Sequence, residues 1–282
     1  MIDRRTKNAE IFEHTQKVYT TDLELINNII SAKENQVFIS EKTNVNITKA
    51  IKSGKAKVVV SGKRSLEAAE FYAKQGKKVC VLNFASATNA GGGVVNGSSA
   101  QEECICRCTT LYPCLKADNL WKEFYLPHRW ANNPLYNNDC IYTPNVCVFK
   151  SDIDFPELLP SNEWWEVNIL TCAAPNLREN PSNSMNPNAG TTKANISADG
   201  LEKLLEARIR RIFEVAISNE NEVIILGAFG CGAFRNPPEI VAKVFNRVMK
   251  DFIYHLDVIE YAVYHREREA ANFEAFQKYI EV

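Results

Sequence analysis

The sequence predicts an α/β fold behind a pair of N-terminal helices, and three observations carry that prediction. The run Lys57–Ser61, a helical pattern over Lys63–Gln75 and the run Lys78–Phe84 follow one another at the spacing of a βαβ unit. An amphipathic stretch, Gly200–Ser218, leads into a further apolar run, Glu222–Phe229. Two of the strands end in glycine-rich segments, Gly91–Gly92–Gly93 and Gly230–Cys231–Gly232. In a doubly wound sheet, loops beyond the carboxyl ends of strands carry the ligand.

In chain order, residues 3–17 and Asp22–Lys33 mix charge with apolar residues at intervals and read as helices. Gln36–Ser40 resembles a short strand. Lys57–Ser61 (KVVVS) is a buried-type strand, and the following helix turns Leu66, Ala69, Phe71 and Tyr72 toward a core. Lys78–Phe84 (KVCVLNF) is the next strand. The helix after the first glycine segment starts near Ser98 or Ser99, which open capping-box patterns with Gln101 and Glu102 respectively. Lys116–Tyr125 reads as a helix ending before Pro127, Cys140–Tyr142 and Val146–Phe149 as a hairpin-like pair, and Glu166–Ala173 as a central strand. Residues 175–199, dominated by Asn, Ser, Pro and Thr, form a loop of the length that is usually functional or mobile. Gly200–Ser218 places Leu201, Leu204, Leu205, Ile209, Ile212 and Phe213 on one side, and Glu222–Phe229 is a strand. Asn236–Pro237–Pro238 opens a helix running to about Phe252, with proline acceptable in its first turn. Val258–Tyr264 is a final strand and Arg268–Tyr279 a closing helix. No repeat or low-complexity linker interrupts this order. Residues 1–34 therefore read as a helical extension packed on one α/β unit, 35–282.

Composition narrows the function. At 282 residues, 45% hydrophobic and 24% charged, the chain has ample material for a core. A formal net charge of −1 argues against a broad basic face, and so against a sequence-specific nucleic-acid partner. A localised phosphate site remains open, because backbone N–H groups bind anions without adding charge. An odd number of cysteines, nine, and a start (Met1–Arg5) without an apolar run suggest reduced thiols in a cytoplasmic setting, or a nuclear one in a eukaryote. No run approaches the ~20 apolar residues of a membrane span.

Three successive glycines let a backbone approach a ligand closely and turn N–H groups toward an anion. Two adjacent carboxylates, Glu102 and Glu103, follow and supply acid–base capacity. A pair of such loops side by side suits a diphosphate; the bland alternative is two tight turns. No G-x-x-x-x-G-K-[ST] loop is present, and Gly91, Gly93 and Gly97 give G-x-G-x-x-x-G, which disfavours a nicotinamide cofactor. Cys104, Cys106, Cys108 and Cys114 scatter around a helix and form no Cys-x-x-Cys pair, so no metal is expected. Cys231 reads as a small loop residue rather than a nucleophile, since His14, His128, His255 and His265 are distant in sequence. Trp164 and Trp165 are base-stacking candidates with a competing core role, and Asn176 ends a strand on the presumed ligand edge.

Triple glycine, seven residues, then Gln101–Glu102–Glu103 resembles the signature of the poly(ADP-ribose) glycohydrolases, enzymes of macrodomain fold, in their bacterial-type branch. The segment Gly230–Cys231–Gly232–Ala233–Phe234 resembles that family's other phosphate loop and its ribose-stacking aromatic. The likeness runs from about residue 35 to the end, with Lys116–Ser161 and residues 175–199 outside it. It implies a three-layer α/β/α architecture with a mixed central sheet. It also implies that Glu103 is the catalytic acid, that Glu102 holds the ribose hydroxyls and that Gln101 helps position them. Gly91, Gly92 and Gly93 would face the diphosphate and adjacent ribose, Asn89 the terminal ribose, and Phe234 would pack on that sugar. The implied reaction is hydrolysis of ribose–ribose O-glycosidic bonds in poly(ADP-ribose), releasing ADP-ribose without a cofactor. The substrate would be the polymer or an ADP-ribosylated protein. A mono-ADP-ribosyl hydrolase and a non-catalytic ADP-ribose-binding module are the alternatives.

Adjacent helical positions lie ~100° apart, so the two glutamates have different roles. Glu102 has a local explanation as capping partner of Ser99; Glu103 is otherwise a solvated first-turn acid. The helix dipole there lowers a carboxyl pKa, whereas a general acid must keep its proton. A neighbouring anion and a bound diphosphate push the other way, so ligand binding is expected to protonate Glu103.

Overall fold

A computed structural model of the chain describes residues 3–48, 50–184, 187–266 and 269–282. The chain opens with α1 (Arg4–Thr21) and α2 (Leu23–Glu34), capped by Asp3 and Asp22, whose carboxylates accept first-turn N–H groups. There follow β1 (Val37–Ile39), β2 (Lys57–Ser61), α3 (Ser65–Ala73), β3 (Val79–Phe84) and α4 (Gln101–Cys108). A helical connection holds α5 (Leu111–Leu115), α6 (Asp118–Leu120), a wider π-helical stretch Trp121–Tyr125, and α7 (Leu126–Ala131). The rest is β4 (Cys140–Val148), β5 (Trp165–Cys172), α8 (Ala198–Ser218), β6 (Val223–Leu226), α9 (Pro238–Met249), β7 (Val258–Ala262) and α10 (Ala271–Tyr279).

The strands form one seven-stranded mixed sheet in the order β1-β4-β5-β3-β6-β7-β2. β5, β3, β6, β7 and β2 run parallel, while β4 is antiparallel to both β1 and β5. Side chains alternate across the pleat, so one strand feeds two cores. Cys80, Leu82, Leu170, Ile224 and Tyr261 pack on one face with Leu205 and Phe213 of α8, Phe245 of α9 and Phe276 of α10. Val79, Val81, Ile169 and Ile225 pack on the other with Phe12 of α1, Leu66 of α3, Ile105 of α4 and Leu111 of α5. The layers are α/β/α. Among the described residues no helix is long and apolar enough to cross a membrane.

Three expectations need correction. The helix after the glycines begins at Gln101 with Ala100 as a cap lacking a side-chain bond, so neither serine box forms. Gln101 and Glu102, the intended box partners, are drawn inward to β3 instead. Helix does not stop before Pro127. The π-helical stretch places that proline in the first turn of α7, where an N–H is dispensable. The expected hairpin pair is one strand, β4, with a register shift between Thr143 and Val146. Pro144 cannot donate to the ladder and Asn145 has φ 52°, which makes a bulge rather than a reversal. Arg268, expected to start the last helix, lies outside the described residues.

Candidate active site

Because β3 and β6 are parallel, hydrogen-bonded neighbours, the two glycine loops leave the sheet side by side. Phe84 and Phe229, the aromatic residues before the loops, meet edge-on with centroids 5.8 Å apart. β3 pairs with β6 only as far as Val81 but with β5 as far as Phe84. The bare edge left on β3 is taken by Gln101. Its amide oxygen accepts from Phe84 N–H (2.9 Å), and its amide nitrogen donates to the Leu82 carbonyl (2.7 Å) and to Ser65 Oγ (3.0 Å). With both ends of the amide occupied, Gln101 is a positioning residue that ties α4 to the strand. The same side chain also lines the cleft between the loops.

That tie sets the two carboxylates of α4 against the first glycine loop. Glu102 Oε2 accepts from Ser86 N–H (2.8 Å), and Oε1 receives a longer contact from Asn83 Nδ2 (3.4 Å). Glu103 Oε1 accepts from Gly93 N–H (2.9 Å), while its Oε2 is buried without a hydrogen-bond partner among the described residues. Gly92 has φ 57°, and a Cβ there would run into both carboxyl groups, so only glycine permits the approach. Glu102 and Glu103 are 2% and 7% exposed. Burial pushes both carboxyls above their usual range, for Glu102 strongly and with the neighbouring Glu103 charge adding to it. The Gly93 N–H and the Arg107 guanidinium pull Glu103 the other way without cancelling the effect. Desolvation thus opposes the helix dipole at Glu103 and outweighs it in direction.

The loops enclose one cleft with two adjoining compartments. A smaller one of about 270 Å³ is lined by Phe84, Ala228, Val263, Tyr264 and Asn272 among others. A larger one of about 690 Å³ holds Gly92, Gly93, Glu102 and Glu103. Phe84, Gly232, Ala233 and Phe234 line both, so the second loop spans the boundary. Gly232 has open space where a Cβ would stand, and Gly230 is held close to Ala174 and Asn236. The Phe234 ring lies 6.2 Å from that of Tyr136.

Three expected contacts move. Gly91 turns its Cα toward Tyr112 and does not line the cleft. Asn89 also faces away: its Oδ1 accepts from Arg129 (2.5 Å) and its Nδ2 approaches the Pro187 carbonyl (3.4 Å), fastening the long loop. Cys231 points its thiol into the core beneath the loop, where burial raises its pKa. It offers the cleft at most backbone. Trp164 packs on Phe149 (6.1 Å) and Trp165 joins the second core, so neither stacks in the cleft. Asn176 is fully buried and braces the long loop through the Pro134 and Pro181 carbonyls. Among the described residues no group of three or more His, Cys, Asp or Glu is arranged to hold a metal ion.

Other residues of the site carried little signal in the sequence. Asn83 is a buried amide in an apolar strand that touches Glu102 and Thr171 (3.2 Å); a polar residue inside KVCVLNF was its one readable flag. Arg5 and Asn8 of α1 and Arg178 of the long loop also line the larger compartment. No motif marks them, because long-range packing brings them there.

The chain is similar to known proteins in sequence and in fold. The family model described as microbial-type PARG, catalytic domain, matches residues 8–151. A search of curated protein sequences gives no match. The poly(ADP-ribose) glycohydrolase of Thermomonospora curvata is 25% identical with a TM-score of 0.83, covering 98% of this chain and 100% of that one. The same enzyme bound to the inhibitor ADP-HPD is 26% identical with a TM-score of 0.82, covering 97% and 99%. The poly(ADP-ribose) glycohydrolase of Deinococcus radiodurans in complex with ADP-ribose is 27% identical with a TM-score of 0.74, covering 89% and 96%.

Proposed function

Since the chain belongs to the microbial-type poly(ADP-ribose) glycohydrolase (PARG) family, glycosidases that hydrolyse poly(ADP-ribose), we propose that it releases ADP-ribose with Glu103 as general acid and base. One observation carries this assignment. The Glu103 carboxyl lines the cleft, anchored by Gly93 through one oxygen, while the other is buried without a hydrogen-bond partner among the described residues. A carboxyl so placed holds its proton more tightly than an exposed one, as a general acid requires.

The terminal ADP-ribose unit fits the cleft in one direction. The smaller compartment, with Phe84, Val263 and Tyr264, suits the flat apolar adenine, and Asn272 adds a polar group. The diphosphate crosses the shared boundary at Gly232 and Ala233 and passes the Gly92–Gly93 turn, whose N–H groups are held by the Asn89 carbonyl and the Glu103 carboxylate. The ribose then lies between Phe234 and the carboxylates, with Glu102 on its hydroxyls. Inhibitor and ADP-ribose complexes of the related bacterial enzymes support this occupant.

Glu103 protonates the departing 2′-oxygen as the C1″–O bond breaks, and positive charge develops on the ribose ring. The resulting carboxylate takes a proton from water, which adds to C1″. Ordinary glycosidases use two carboxyls on opposite faces of the sugar. Here both sit on one helical turn, so a single glutamate serves both steps and the substrate diphosphate stabilises the cation. The substrate is polymer free or attached to protein. The nine free thiols support a reducing, cytoplasmic setting.

The test is Glu103→Gln on automodified polymer. Loss of a general acid lowers ADP-ribose release by about 10²–10⁴-fold, while calorimetry shows free ADP-ribose still bound. Equal release by variant and wild type removes the assignment.

A further inference from the structure

The larger compartment, which holds the two glutamates, is also lined by arginines. Arg5 reaches it from α1 and Arg178 from the loop of residues 175–199. Their segments are far apart in sequence and line the same cavity. Arg5 is fixed by its Nε donating to the Asn96 carbonyl (2.8 Å), directly after the first glycine loop. Its neighbour Asn8 donates to the Gly97 carbonyl (3.2 Å), which pins the helix to the loop. Arg178 makes no salt bridge with a described residue; the adjacent Glu179 pairs with Lys193 instead. A guanidinium without a counter-charge in a cleft favours an anionic guest.

Substrate chemistry names that guest. The 2′-oxygen that leaves belongs to the adenosine ribose of the next unit, and the 5′-carbon of that same ring carries the next diphosphate. An anion therefore follows the scissile bond at the distance of one sugar ring, beyond the leaving oxygen. We propose that Arg178 and Arg5 grip the diphosphate of this second, departing ADP-ribose unit, forming a subsite that makes the enzyme prefer polymer to a single ADP-ribose. Planar guanidinium forks pair with phosphate oxygens bidentately, and such charge-assisted bonds are the strong ones.

The proposal rests on the glycohydrolase reading, and the experiment separates the two. In the Glu103→Gln background, affinities are measured for free ADP-ribose and for purified poly(ADP-ribose) of defined length, with and without Arg178→Ala. The parent is expected to bind both. Arg178→Ala weakens polymer binding roughly tenfold, about the loss of one charge-assisted bond, leaves ADP-ribose affinity within error, and flattens the salt dependence of polymer binding. Arg178→Lys restores part of it. If both affinities fall together, the arginine belongs to the first diphosphate and the proposal is overturned; if neither falls, no such subsite exists. A parent that binds neither ligand overturns the glycohydrolase reading itself.

Discussion

At the residue scale, the decisive quantity is the protonation of Glu102 and Glu103. Both carboxyls sit above their usual range in the folded protein because burial penalises their charge. Between the ordinary carboxylate value and the raised one, the folded state holds protons that the unfolded chain has released. The sites' contribution to stability is therefore fully present at low pH and is lost as pH rises through the folded-state values. Glu103→Gln removes its share of that loss, since the amide oxygen can still accept from Gly93 N–H and the NH₂ replaces the unpartnered oxygen. Thermal denaturation of the ligand-free protein should show the variant melting above wild type at pH 8, by roughly 2–4 °C for each kcal/mol relieved. The difference should close toward pH 4. A variant that melts lower at pH 8 contradicts the desolvation argument. Catalysis runs the same way: kcat falls as alkali strips the proton from Glu103. That these two residues were acids at a phosphate loop was legible in Gln101–Glu102–Glu103. The upward pull on their pKa values was not, because the sequence predicts a lowering dipole and is silent on burial.

At the element scale, the site depends on how α1 and α4 meet the glycine loop. Gly97 has φ 75°, and a Cβ there would strike the Arg5 backbone carbonyl. Gly97→Ala therefore both strains the turn and lifts α1 from it. A stability loss of about 1–3 kcal/mol is expected in urea denaturation, with weaker polymer binding as Arg5 and Asn8 withdraw. Unchanged stability and binding would show that the helix is not seated as described. Helix and strand positions were largely legible, since the periods of burial are written in residues such as Leu201, Leu205 and Ile209. Where elements end was not. Gln101 and Glu102 look like capping partners of Ser98 and Ser99, but tertiary bonds to Phe84, Leu82 and Ser86 claim them.

At the scale of the molecule, the N-terminal helix is part of the core that supports the site. Phe12 is 1% exposed and meets Tyr112 edge-on at 4.9 Å, and Tyr112 in turn packs beneath Gly91. Phe12→Ala should cost about 3–5 kcal/mol of global stability and lower activity through the same stack; a loss under 1 kcal/mol would detach α1 from the core. By itself the sequence determined the fold class, the two glycine loops, the pair of acids and the family they indicate. Those features are local, carried by short spacings and by residue types with few alternative uses. Only the tertiary structure decided the order β1-β4-β5-β3-β6-β7-β2, and with it the adjacency of the loops. It also turned Asn89, Gly91 and Cys231 away from the cleft and brought Arg5 and Arg178 to it. Strand neighbours and buried faces are set by contacts between distant segments, which a linear pattern does not record.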